Sequence, residues 1–560
     1  MRKIRRNNKV LKGLLYAGIA AASVGTLAGC GASGSDSAAT ASATTAATTS
    51  DSASLSSDGK EITIAIYRDG EMNELDAATY KGPHVIYKML YEGFTEDGGK
   101  EGILPLLATS WDISDDGKTY TFHLREGVTY SDGTPFDSES VIFNLKRWTN
   151  NDRHSSLTSY KVDDMKAIDD HTVEVTFAQN AYPIITEMSY PRPNRFLSPA
   201  SIKDNGDVMG EFTSPVGTGQ WVLDSYTQDE GFVLKANPDY WGEKPALEKI
   251  NFKVIKDGQA RVMALQSGEV DVIGGDLLGK IPMEGLQELK NQGYTIYDMD
   301  TMCSYYMAFN QTNEIFNDVK VRQALNMALD KETMVSNLFY GVGEAAKGLY
   351  NSRITPYVTE DNSPGYSYDI EKAKSLLAEA GYADTNGNGT LDKDGKELDL
   401  TLMFTTEEFP EFKTIGEYVQ SEYAKIGINL ALSTVDTNTF NEHEMSATGY
   451  DLIINRTSSD SWVPHGDMKQ LFSPLTTADG RAKLWLDEEL TGYINETLVS
   501  QDESSRQAGY DKIFKRINDE AFVIPLYYPK TCFAVSDKVS NFEIGVNNYA
   551  PINWTTLNVK

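Results

Sequence analysis

A guanidinium set between two prolines is the most chemically pointed feature of this 560-residue chain. Pro191-Arg192-Pro193 opens the run Pro191 to Phe196, P-R-P-N-R-F. The prolines fix φ on both sides of Arg192 and disfavour helix there. An arginine on such a stiff loop suits planar recognition of a carboxylate. Other spacings fall short of a chemistry. Gly274 to Ile281, G-G-D-L-L-G-K-I, approaches a phosphate loop, but no hydroxyl follows Lys280 to bind magnesium, so a turn is expected. His443-Glu444 begins like a zinc protease, yet no second histidine follows. No serine stands in G-x-S-x-G and no Cys/His nucleophile pair stands out, so an enzyme reading has no positive support. Asp384, Asn386 and Asn388, with Gly389, open like an EF-hand loop, but Gly395 replaces the bidentate glutamate at position 12. Two readings stand there, a plain hairpin turn and a weak calcium site. Beyond Cys30 only Cys303 and Cys532 occur, without metal spacing; a disulfide and two buried thiols are both open.

These residues need elements to hold them. Gly217-Thr218-Gly219 is a tight turn ahead of an alternating strand from Trp221 to Leu223. Asn237-Pro238 punctuates before Tyr240-Trp241-Gly242, and Ile250, Phe252 and Val254 alternate as a strand should. Glu61 to Tyr67 and Thr119 to Leu124 alternate likewise, and His123 inside the latter reads as structural, as does His171 at a turn. Pro83 to Glu92 reads as a helix opened by His84. Asp137 is placed to cap a helix with Val141, Ile142, Leu145 and Trp148 on one stripe. Further on, a strand at Met307 to Asn310 precedes helices capped by Asp318 and Asp369, the second ending at Gly381. Phe412 to Ile426 is a third helix, closed by Gly427. Helices within Lys483–Val499 and Ser504–Asn518 and strands at Val523 to Tyr528 and Phe533 to Val535 close the chain. Strands mixed with helices over this length predict α/β lobes around mixed sheets.

Three stretches carry a family resemblance: P-R-P-N-R-F through Y-W-G-E-K-P and its strand, Asp115 to Arg147, and Tyr368 to Tyr382. Over roughly residues 58 to 560 the chain resembles the solute-binding proteins of ABC importers, family 5, which carry peptides and nickel. The resemblance implies a two-lobed periplasmic-binding-protein fold with an extra subdomain in the first lobe. It implies a first lobe at 58–299, a second at 300–525 and a return to the first at 526–560, with hinge crossings near 300 and 525. It also implies permease and ATPase partners and a monomer. P-R-P looks most like the nickel-binding branch, in which that arginine grips a chelator's carboxylates; Arg192 is the matching position. Arg153-His154 matches the assisting arginine. His84 falls where some nickel-binding relatives place a side chain in the cleft. The loop Asn455 to His465 matches the second lobe's cleft loop, with Trp462 at a cleft aromatic. His84 and His465 are the candidate metal ligands, since imidazole suits nickel. Some of the nickel pattern is missing. Thr476 and Thr477 stand where the enterobacterial type has a histidine, and Ser156 and Ser458 replace two cleft tryptophans. Asp460 falls where peptide-binding relatives hold the ligand's amino terminus. The cargo expected is therefore a small nickel chelate, with a dipeptide or oligopeptide as the alternative. A secreted hydrolase is the competing class.

The amino terminus reads as an export signal over residues 1–29. Six basic residues precede an apolar run from Leu14 to Leu27, which is short for a membrane span. Leu27-Ala28-Gly29-Cys30 resembles a bacterial lipobox, which implies a lipidated Cys30. Gly31 to Ser57, almost all Ser, Ala, Thr and Gly, is expected to be a disordered tether reaching ~30 Å. The expected location is extracytoplasmic, held by lipid on the outer face of the cell membrane. Net charge is −30, or nearer −36 once those six basic residues are removed. That balance argues against nucleic-acid binding, which needs clustered Lys and Arg.

Overall fold

The computed structural model describes residues 59–79, 82–150, 161–191, 195–203, 207–407, 409–457, 464–473, 484–500 and 502–560. Arg153, Arg192, Asp460, Trp462 and the Cys30 lipobox all lie outside these residues.

Two large mixed sheets organise the chain. The first has seven strands. Glu61–Ile66 lies at its centre, parallel to Lys249–Val254 and to Val272–Gly274, and Ile62 faces Ile250 across the ladder. Alternation decides which face each residue covers. Ile62 and Ile64 join Trp221, Phe252 and Phe533 in one core. Ala65 joins Val262, Leu265 and Leu286 in another, so helices cover the opposite face. The second sheet has six strands, centred on Tyr305–Phe309 and Leu452–Arg456. Met307 and Phe309 face one core, while Tyr306 and Ala308 face another. A separate antiparallel sheet of four strands, Ala108–Ile113, Thr119–Leu124, Val162–Asp169 and Thr172–Phe177, carries the helix Ser138–Thr149.

The chain passes from the first sheet to the second between Thr295–Asp300 and Tyr305–Phe309. It returns between Val523–Tyr528 and Lys530–Val535. The two passages are tied together: Thr301 Oγ1 donates to the Pro529 carbonyl at 3.0 Å.

Local signals explain most helix ends. Asp137 accepts from the Ser140 amide in a capping box, and Val141, Ile142, Leu145 and Trp148 are buried as their spacing requires. Asp318 and Asp369 cap their helices, and Gly381 and Gly427 take positive φ just past helix ends. The core around Phe94, Phe122 and Trp148 runs without a break into that of Tyr350, Met468 and Phe514. The four-stranded subdomain is thus packed against the second lobe. Among the described residues no helix is long and apolar enough to cross a membrane.

Candidate functional site

Arg195 and Phe196, the last two residues of P-R-P-N-R-F, are held in place. Arg195 is 2% exposed and its Nη2 donates to the Ser189 carbonyl at 2.6 Å. Its Nε and Nη1 have no hydrogen-bond partner among the described residues. Burial lowers the Arg195 pKa to about 10, opposed by the nearby Glu92 and Glu96 carboxylates. The Phe196 amide donates to the Glu92 carbonyl at 3.0 Å. The Glu92 side chain then accepts from Tyr240 Oη at 2.7 Å and from Trp241 Nε1 at 2.9 Å. Burial raises the Glu92 pKa, and those two donors pull it back. Phe196 and the Tyr240-Trp241 pair, distant in sequence, therefore meet at one residue, Phe196 on its backbone and the pair on its buried carboxylate. Arg125 stacks over the Trp241 ring at 4.3 Å. The G-T-G turn belongs to the same assembly. A Cβ on Gly217 would sit 2.1 Å from the Leu90 carbonyl oxygen, and one on Gly219 2.3 Å from that of Met89. Only glycine lets this turn lie on the end of the His84–Leu90 helix.

His84, at the start of that helix, packs edge-on against Tyr549, with ring centroids 5.6 Å apart at 67°. Tyr549 is buried, and around it pack Tyr190, Leu277, Met302 and Tyr357. This patch draws on both sheets' bodies, on the crossing at Met302 and on the residue preceding P-R-P. Tyr357 takes φ of 67°, a left-handed conformation that an aromatic residue adopts only when its surroundings impose it. Its ring stacks on Tyr510 at 4.5 Å, and its hydroxyl lies 3.4 Å from Glu503 Oε2. Sequence reasoning singled out His84 and missed the tyrosines, whose spacing gives no common pattern.

Both described ends of the stretch 455–465 make fixed contacts. Thr457 donates its amide to the Ser304 carbonyl and accepts from the Ser304 amide, both at 2.9 Å, fixing the near end to the crossing. At the far end His465 starts the helix His465–Phe472. Its Nε2 lies 2.8 Å from Glu187 Oε1, and both side chains are 2% exposed. The candidate ligand His465 is therefore engaged with a carboxylate of the four-stranded subdomain. Among the described residues no three His, Cys, Asp or Glu side chains group to hold a metal.

The Asp384 loop is satisfied from within. Asp384 accepts from the backbone amides of Gly387, Asn388 and Gly389, and the side-chain Nδ2 groups of Asn386 and Asn388 both donate to Glu397 Oε1. That is the pattern of stacked Asx turns, and it lends no support to a calcium site. Cys303 and Cys532 are free, and burial pushes each thiol up to about 11. Gly274 to Ile281 is a turn, with positive φ at Gly274, Gly275 and Gly279, and Lys280 Nζ donates to Tyr305 Oη at 2.9 Å.

Comparison with known proteins places this geometry. Residues 102–479 match the family described as bacterial extracellular solute-binding proteins, family 5 Middle. The nickel-binding periplasmic protein of Escherichia coli (strain K12) is 32% identical over 469 residues, 83% of this chain and 87% of that protein. The oligopeptide-binding protein AppA of Bacillus subtilis (strain 168) is 28% identical over 466 residues, 82% of this chain and 84% of that protein. Among solved structures, NikA from Brucella suis in complex with Fe(III)-EDTA superimposes with a TM-score of 0.81 at 29% identity. It covers 89% of this chain and all of that one.

Proposed function

Because the chain belongs to the family 5 bacterial extracellular solute-binding proteins, we propose that it is the binding component of an ABC importer whose cargo is nickel in a small carboxylate- or histidine-type chelate. The observation that carries this reading is the 32% identity, over most of the chain, to a nickel-binding periplasmic protein. The imidazole of His84 on the tyrosine patch supports it. In this reading Arg192, assisted by Arg153, grips the chelator's carboxylates, Trp462 and the tyrosines enclose it, and His84 faces the metal. Lobes at 58–299 with 526–560 and at 300–525 close on the cargo about the paired crossings. The monomeric protein, tethered by lipid on Cys30, hands its cargo to a permease driven by an ATPase and performs no catalysis of its own. A dipeptide or oligopeptide cargo is the second reading. It is favoured by Asp460, a carboxylate for a ligand ammonium, and by the peptide-binding relative.

Two substitutions separate the readings. A chelator with carboxylates and no free ammonium needs Arg192, whereas a peptide needs Asp460. Losing one partner of a charge-assisted hydrogen bond costs ~2–3 kcal/mol, roughly 30- to 150-fold in affinity. Titration calorimetry should show Arg192→Ala weakening a nickel–histidine complex by that order, with Asp460→Asn nearly silent. If Asp460→Asn abolishes binding of a dipeptide that the wild type holds, and nickel complexes bind neither protein, peptide is the cargo. Cys30→Ser should leave the protein unprocessed or shed; a variant processed and membrane-held like the wild type would remove the lipid anchor from the proposal.

A further inference from the structure

The contact between Glu187 and His465 joins residues 278 apart in sequence. Glu187 ends the helix Ile184–Glu187, which is tied to the four-stranded subdomain: the Ala181 amide donates to the Gly117 carbonyl, and Thr95 Oγ1 donates to the Ile185 carbonyl. His465 belongs to the second lobe. Beside the pair, the Tyr182 and Tyr510 hydroxyls meet at 3.0 Å and the Arg506 guanidinium lies 4.4 Å over the Tyr182 ring, again across the same boundary. Lys469, one turn along the His465 helix, acts electrostatically on Glu187, as do the Tyr120 and Tyr182 hydroxyls on the subdomain side.

We propose that Glu187 and His465 form a clasp that is made only when the subdomain closes on the second lobe, so that this pair sets the open–closed balance and, through it, cargo affinity. The proposal rests on the closure reading above. Its physical basis is burial. Two side chains at 2% exposure lose their hydration only when the two surfaces meet, and the bond between them then takes the place of water. A contact present in one state alone shifts the equilibrium by its whole free energy, and the apparent affinity of a ligand that needs that state shifts with it.

The test is a double-mutant cycle on the full chain. Spin labels go on exposed Ile168→Cys in the subdomain and exposed Met445→Cys in the second lobe, and their separation is measured without cargo and with a nickel–histidine complex. Glu187→Gln and His465→Gln should each lower the closed-to-open ratio about ten- to a hundredfold, and the double variant should add nothing further. Tyr182→Phe, a milder change at the same boundary, should move the ratio in the same direction by less, and it serves where a Glu187 variant fails to fold. Additive single effects, or an unchanged distance distribution in folded variants, would overturn the clasp. The cargo-free measurement does not depend on what the protein carries. A wild type that closes but ignores nickel–histidine refutes the cargo reading and leaves the clasp standing.

Discussion

Glu92 and Glu187 are both carboxylates stripped of water, and they are given partners in opposite ways. Glu92, 6% exposed, takes its donors from Tyr240 and Trp241, faces the buried Arg195, and receives the Phe196 amide on its own backbone. Every one of those groups precedes the first crossing. Glu187, 2% exposed, takes the imidazole of His465 from beyond it. The difference separates scaffold from mechanism. A carboxylate whose partners share its rigid body adds to folding stability and cannot report closure. One whose partner sits on the other body exchanges that stability for a dependence on state. Replacing Glu92 therefore tests the first half of the comparison and gives the largest effect. Glu92→Ala removes the acceptor that Tyr240 and Trp241 share and one of the two carboxylates near Arg195, and should cost ~3–5 kcal/mol of folding stability. Denaturant unfolding measures it. The distance distribution of whatever fraction folds should match the wild type, whereas Glu187→Gln should change the distribution and spare the stability.

The contrast also shows what the sequence could reveal. Asp137, Asp318 and Asp369 were legible as caps, because a cap is settled within four residues of its helix. The strand Val523–Tyr528 was legible from its apolar run. His84 and His465 stood out by type, but type does not show a partner. Nothing near His465 in the chain announces Glu187, and that contact forms only after two bodies have folded and met. Glu92 was invisible for the same reason, since its donors lie 148 and 149 residues away. The tyrosine patch was hidden because Tyr190, Tyr357 and Tyr549 share no periodicity, and Tyr357 takes a backbone conformation that its residue type disfavours.

A pH series sharpens the Glu92 side. Its folded-state pKa is raised above the usual 4.5, with burial the largest cause, so the folded protein holds that proton more tightly than the unfolded chain. The resulting stability is fully present below the ordinary value and is lost as pH rises through the raised one. Glu92→Gln has no such proton. Unfolding free energies of wild type and Glu92→Gln, measured from pH 4 to neutrality, should diverge in favour of the variant as pH rises. The slope of the difference is at most about 1.4 kcal/mol per pH unit. Parallel curves would mean that Tyr240, Trp241 and Arg195 compensate the charge completely.

Lys280 supplies the smallest effect and an internal control for the clasp. It too reaches from the first lobe to the second. Its Nζ meets Tyr305 Oη at 2.9 Å, lies 3.4 Å from Asp276 Oδ1 and 3.7 Å from Glu411 Oε1, and sits 4.5 Å over the Phe409 ring. Two carboxylates, one from each side, thus face a single ammonium. The Lys280 side chain is 39% exposed and Tyr305 directly follows a crossing, so water and ions reach the charges and the local displacement on opening is small. Exposed pairs of this kind contribute up to about 1 kcal/mol. Lys280→Met should weaken apparent cargo affinity by no more than about fivefold at low salt. The loss should fade as sodium chloride approaches 0.5 M, where screening acts over only a few ångströms. The Glu187→Gln loss should persist there, because no ion enters a pair at 2% exposure. Equal, salt-sensitive losses in the two variants would show that both contacts are solvated in the working protein, and the distinction between a buried clasp and a surface bridge would fail.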